Sequence, residues 1–150
     1  MYFVDRAKIE ETLTYLEKLT HQFSEVDQWD TGVHRSALER IGHLMIESIL
    51  DVGNAMIDGF IMRDPGSYED IIDILEDEKV ISPEDALSLK SLISFRKVLV
   101  QEYTNVNHQK LHATIEKEWK AITVFPDKIR NYLLNELGPV SAFIPQQHNK

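Results

Sequence analysis

Five polar residues interrupt an otherwise apolar stretch, and their types could do chemistry: His43, Glu47, Asp51, Asn54 and Asp58, at steps of four, four, three and four. On a helix those steps place all five on one face. The stripe is either a solvent face or an interior polar site, where the imidazole and two carboxylates could in principle ligate a metal. A metal site fits less well, because Glu-x-x-x-Asp is not the Glu-x-x-His pairing of di-iron bundles and no second such motif occurs. Farther along, Arg96 falls in step with Leu89, Ile93, Val100 and Tyr103, while Lys90, Ser94, Lys97 and Gln101 form the opposite, polar strip. A guanidinium in line with core residues keeps its proton and must find acceptors, so Glu47 or Asp51 is its natural partner. Either the pair is a structural salt bridge, with Tyr103 a helix-end aromatic, or the charge is held for an anion.

The elements that must position these groups read as helices throughout. Ile9, Leu13, Leu16, Leu19, Phe23 and Val26 recur at helical spacing, and Asp27 to Gly32 reads as a turn. From Val33 to Met62 apolar residues lie on nearly every side, which predicts a central helix and makes dimerisation through it plausible. Gly42, Gly53 and Gly59 inside that helix are expected where a neighbouring backbone comes close. Asp64-Pro65-Gly66 stops it. Ser67, with Asp70 three residues on, starts a short helix to about Asp77, and Ser82-Pro83 starts another to about Gln101. A last stripe from Leu111 to Leu137 keeps its phase through Pro126, predicting a kink there, before Gly138-Pro139 ends it. With no convincing strand and no repeat, the expected fold is an all-α, antiparallel bundle of four main helices plus a short acidic one. Residues 1–138 form the expected domain and 139–150 a short C-terminal tail.

Composition narrows the class. The chain has 150 residues, 43% hydrophobic and 27% charged, the size and mixture of one folded domain. Without cysteine it can have no disulfide framework, thiolate metal site or cysteine nucleophile, which fits a cytoplasmic protein. No export signal or membrane span is indicated. The net charge of -9 first argues against nucleic acid, but Asp64 to Asp85 alone carries nine acids against Lys79. That segment accounts for -8 and the remainder for only -1, so an RNA site elsewhere is not excluded.

The segment Phe95-Arg96-Lys97-Val98-Leu99-Val100-Gln101-Glu102-Tyr103 resembles the motif region of the HepT-like ribonuclease toxins, a family of the HEPN superfamily. The pattern there is Arg, four to six residues, His, any residue, Tyr. Leu38-Glu39-Arg40-Ile41 and Ile46 to Asn54 are similar to the family's long polar-striped helix, and the likeness runs to about Leu137. It implies a HEPN-like bundle and a cytoplasmic, homodimeric toxin subunit of a type VII-like toxin–antitoxin system. Such a subunit cleaves RNA without metal or other cofactor. In that reading Arg96 takes the place of the phosphate-stabilising arginine, Glu47, Asp51 and Asn54 support it, and Tyr103 accepts AMP from an MntA-like nucleotidyltransferase antitoxin. The chain departs from the family at Gln101, which stands where the histidine belongs. An amide hydrogen-bonds a phosphate but transfers no proton, so the resemblance also leaves room for a catalytically lapsed nucleotide- or partner-binding module. His108 lies beyond the motif's spacing as a possible substitute.

Overall fold

The structure, a computed structural model, describes residues 2–139. Among them are seven α-helices: α1 (Arg6–Ser24), α2 (Gly32–Gly59), α3 (Tyr68–Asp77), α4 (Pro83–Ile93), α5 (Arg96–Val100), α6 (His108–Lys117) and α7 (Trp119–Leu137). A 3-10 turn, Tyr103–Asn105, joins α5 to α6, and no strand occurs among the described residues. The all-α expectation holds; the expected tail beyond residue 139 lies outside the described residues.

Local chemistry starts the helices where the sequence places it. Thr31, Ser67 and Ser82 each accept a hydrogen bond from the backbone N–H three residues on, at 3.1, 3.1 and 3.0 Å, and Pro83 occupies the first turn of α4. Packing then sets α2 at the centre, in contact with α1, α3, α5 and α6, while α7 closes against α1 and α4. Met45, Ile46, Ile49 and Met56 of α2 are fully buried among Leu13, Leu16, Ile72, Leu75, Leu111 and Ile115. The apolar sides of α2 are thus largely satisfied within one chain, which removes them as an argument for dimerisation.

Gly53 and Gly59 sit at close approaches. A Cβ on Gly53 would lie 2.5 Å from Ile71 Cγ2 of α3, and one on Gly59 would meet Val4 Cα at 3.1 Å. The first is a side-chain contact and the second a backbone one, so the expectation of a crowding backbone holds only at Gly59. The acidic segment is amphipathic: Ile71, Ile72, Ile74 and Leu75 are buried, and its carboxylates turn outward. Arg63 bridges Asp70 and Asp77 at 2.8 and 3.3 Å, and Lys90 bonds Asp73 at 2.6 Å.

Two expected long helices are broken. The Pro83 helix ends at Ile93, where Phe95 N–H bonds back to Leu92 at 3.1 Å and Ser94 Oγ donates to the Ser91 carbonyl at 2.7 Å. This tighter turn buries Phe95 and re-aims α5. Helical phase is therefore lost before Arg96. The predicted common face of Leu89, Ile93, Arg96, Val100 and Tyr103 is corrected accordingly: Val100 and Tyr103 are exposed, at 36% and 64%. The last stripe is interrupted at Glu118, while Pro126 lies buried inside α7, so the break falls eight residues before the expected kink.

Candidate active site

Re-aiming α5 carries Arg96 to the middle of α2. Its Nε donates to Glu47 Oε2 at 2.7 Å, with side chains 20% and 29% exposed. Of the two carboxylates expected from the sequence, Glu47 is the one bonded. The guanidinium also lies 4.1 Å from the ring centroid of Tyr68, the first residue of α3. A carboxylate and an aromatic face fix its orientation from two sides, each contributing where solvent is partly excluded. Among the described residues no acceptor is bonded to Nη1 or Nη2. Those two nitrogens form the planar fork that suits a phosphate or carboxylate. Glu47 raises the pKa of Arg96 further, through its hydrogen bond first, so the charge is permanent.

Along α2 the polar groups form a ladder at steps of four: Glu39, His43, Glu47 and Asp51. His43 Nε2 stands 4.0 Å from Glu47 Oε2, the same oxygen that receives Arg96. Asp51, one turn on, is exposed and not bonded to Arg96, yet its carboxyl is pushed above the usual carboxylate range. Partial burial is the main cause, and the charge of Glu47 adds to it. Asn54 and Asp58 are exposed and take no part in this cluster. The stripe thus meets Arg96 at Glu47, with His43 close by, and is a solvent face beyond Asp51.

His108 opens α6 and bonds Glu39 at 2.6 Å. Glu39 and Glu47 are eight residues apart on α2, about 12 Å along its axis. Within one chain His108 is therefore too distant to act on a phosphate held by Arg96. Gln101 caps the C-terminus of α5, and Tyr103 begins the 3-10 turn; both are exposed, on the outer side of the segment that turns Arg96 inward. Arg96 and Glu47 come together as expected, whereas Gln101 and Tyr103 do not join that cluster within the chain.

Sequence reasoning missed Tyr68, for which spacing offers no signal at 28 residues from Arg96, and the Glu39–His108 pair, which the four-residue ladder could have suggested. A cavity of about 410 Å³ between α1 and α2 reaches Glu47 and Asp51 and is lined also by Lys8, Tyr15 and Lys18. A larger one, about 600 Å³, lies beside Lys79, Lys128 and Tyr132 and contains none of the expected site residues. Among the described residues no group of three or more His, Asp or Glu is placed to hold a metal ion, and no helix is long and apolar enough to cross a membrane.

Comparison with known proteins places this fold. The family model described as "Ribonuclease HepT-like" matches residues 9–129. The candidate RNase YutE of Bacillus subtilis (strain 168) is 54% identical over 143 residues, covering 95% of this chain and 99% of YutE. A solved structure of YutE, described as a cytosolic protein of unknown function, superposes with a TM-score of 0.93 over 95% of this chain and all of that one. A HEPN toxin of Shewanella oneidensis, tri-AMPylated and in complex with an MNT antitoxin, gives a TM-score of 0.70 at 16% identity, over 83% of this chain and 96% of that one. At that identity the likeness is one of fold.

Proposed function

The chain belongs to the HepT-like ribonuclease family, and on that footing we propose that it is a cytoplasmic, dimeric toxin subunit that cleaves RNA without a metal ion. The observation that carries this reading is the Arg96 fork: oriented by Glu47 and Tyr68, partly open to solvent, and with both Nη groups unbonded. Such a group binds the non-bridging oxygens of a phosphodiester in two parallel hydrogen bonds and stabilises the charge that grows on them in the transition state. In this reading Gln101, exposed at the end of α5, hydrogen-bonds the RNA without moving a proton. In a symmetric dimer two such forks would line one cleft and give an acidic chain a local positive field.

Tyr103 is the AMP acceptor in this reading. Its 64% exposure leaves the hydroxyl accessible to a nucleotidyltransferase antitoxin, and an added AMP would bring negative charge into the path of the RNA. The AMPylation and MNT complex of the Shewanella oneidensis neighbour support this assignment.

Gln101 favours a second reading, a binding module that has lost cleavage, because an amide at the histidine position moves no proton. One experiment separates the two. Wild type, Arg96→Ala and Gln101→His are incubated with RNA in chelator, and binding and cleavage are followed side by side. Cleavage by wild type that disappears in Arg96→Ala supports the nuclease; binding without cleavage, with cleavage gained in Gln101→His, supports the module. If none of the three binds or cuts RNA, both readings fail. Co-expression with an MNT-type nucleotidyltransferase, followed by mass spectrometry, should find AMP on Tyr103 and none on Tyr103→Phe.

A further inference from the structure

We infer that His43 of α2 is the proton-transfer residue of this site, doing from the neighbouring helix what Gln101 cannot do from α5. The inference rests on the nuclease reading above and adds to it a catalytic group that the Arg-x4-Gln-x-Tyr segment lacks.

Every imidazole among the described residues has a carboxylate neighbour, and the neighbours sort them. His21 faces Glu25, His34 faces Asp30, His108 bonds Glu39, and His112 faces Glu116. Only His43 shares its carboxylate with Arg96. The two distances to that shared Oε2, 4.0 and 2.7 Å, put His43 Nε2 and Arg96 Nε no more than 6.7 Å apart. A ribose 2′-hydroxyl at His43 and its adjacent phosphate at Arg96 fit such a gap. At 4.0 Å the imidazole is not hydrogen-bonded to Glu47, so Nε2 remains open to accept a proton. Its side chain is 29% exposed, enough to meet a strand lying over α2. Charges facing it are Glu47 and, one turn back, Glu39 on its own helix, Arg96 from α5 and His108 from α6, the last already bonded to Glu39.

The chemistry uses only the RNA and water. Neutral His43 Nε2 takes the proton of a ribose 2′-hydroxyl, and the freed oxygen forms a bond to the adjacent phosphorus, whose charge Arg96 holds. The bond from phosphorus to the 5′ oxygen of the next nucleotide breaks, and that oxygen takes a proton from water. The imidazolium returns its proton to the hydroxide so formed. The products are a 2′,3′-cyclic phosphate and a 5′-hydroxyl.

The test follows single-turnover cleavage and binding of a labelled single-stranded RNA by wild type, His43→Ala, His43→Gln and Arg96→Ala, in chelator, with circular dichroism to verify folding. The expected result is a loss of roughly 10²-fold or more in rate for both His43 variants. Their RNA affinity is unchanged, and free imidazole restores part of the rate in His43→Ala. A single 2′-deoxy substitution at the cut site should abolish cleavage. Cleavage by either His43 variant at the wild-type rate overturns the inference and leaves the nuclease reading intact. A loss that imidazole does not restore, or that arises from weakened binding, also overturns it, since a structural role would act in that way. Absence of cleavage by wild type removes the inference together with the nuclease reading, and retained Arg96-dependent binding then leaves the binding module.

Discussion

Separating Glu47 from Arg96 should destabilise the protein by an amount the geometry allows to be bracketed. At 2.7 Å the gross attraction is about 6 kcal/mol at an effective dielectric of about 20, and desolvation of the two ions offsets most of it. Fully exposed ion pairs retain roughly 0.2–1 kcal/mol, and hydrogen bonds to charged groups about 1.5–3 kcal/mol. Side chains 20% and 29% exposed belong near the lower end of the second range. A double-mutant cycle of Glu47→Ala and Arg96→Ala, read by urea denaturation at neutral pH, should therefore return a coupling of about 1.5 kcal/mol. The cycle cancels the loss of Arg96 packing on Tyr68, which a single variant would mix in. For a chain of this length that energy corresponds to a fall in Tm of about 3–6 °C. Because the pair is partly buried, most of the coupling should survive 1 M salt. A coupling near zero, or one that salt abolishes, would mean that Glu47 does not hold the guanidinium, and the pre-oriented phosphate fork would have to be given up.

Other consequences can be measured independently. Asp51→Asn should raise stability at pH 7: the folded carboxyl titrates above its unfolded value, so wild type loses stability as pH rises through that interval. Denaturation curves of the two proteins should converge below the ordinary carboxylate pKa. Gly53→Ala places a methyl 2.5 Å from Ile71 Cγ2 and should cost about 1–3 kcal/mol in urea denaturation, against the gain of up to about 1 kcal/mol that the same change brings in an exposed helix. Arg130 joins α7 to α1 by four hydrogen bonds to Glu10 and Glu17, so Arg130→Ala should lower stability by about 1 kcal/mol, discounted for the exposure of both carboxylates. Glu10 titrates below its ordinary value beside Arg130, so the difference between this variant and wild type should be present at neutral pH. It should fade as pH falls through that lowered value, which thermal melts across acidic pH would detect.

Much of this molecule was legible in the chain. Helical spacing set α1, α2 and α3 to within a few residues, the hydroxyls of Ser67 and Ser82 marked two starts, and the apolar surround of α2 predicted its central place. These are local or compositional facts, in which a residue's own backbone bonds or its neighbours four positions away decide the outcome. The electrostatic demand of a guanidinium among core residues was local too, and it pointed to Glu47 or Asp51, between which packing chose Glu47. Tertiary packing decided the rest. Phe95 enters the core by tightening the turn after Ile93, α5 then ends at Val100, and Val100 and the following Tyr103 lie at the surface. The placing of Tyr68 against Arg96, and of Arg96 on the Glu47 oxygen that His43 approaches from one turn away on α2, depends on how α3 and α5 lie across α2. Spacing along a chain carries a periodic signal only while one helix continues; across a break, the shape of the core sets direction.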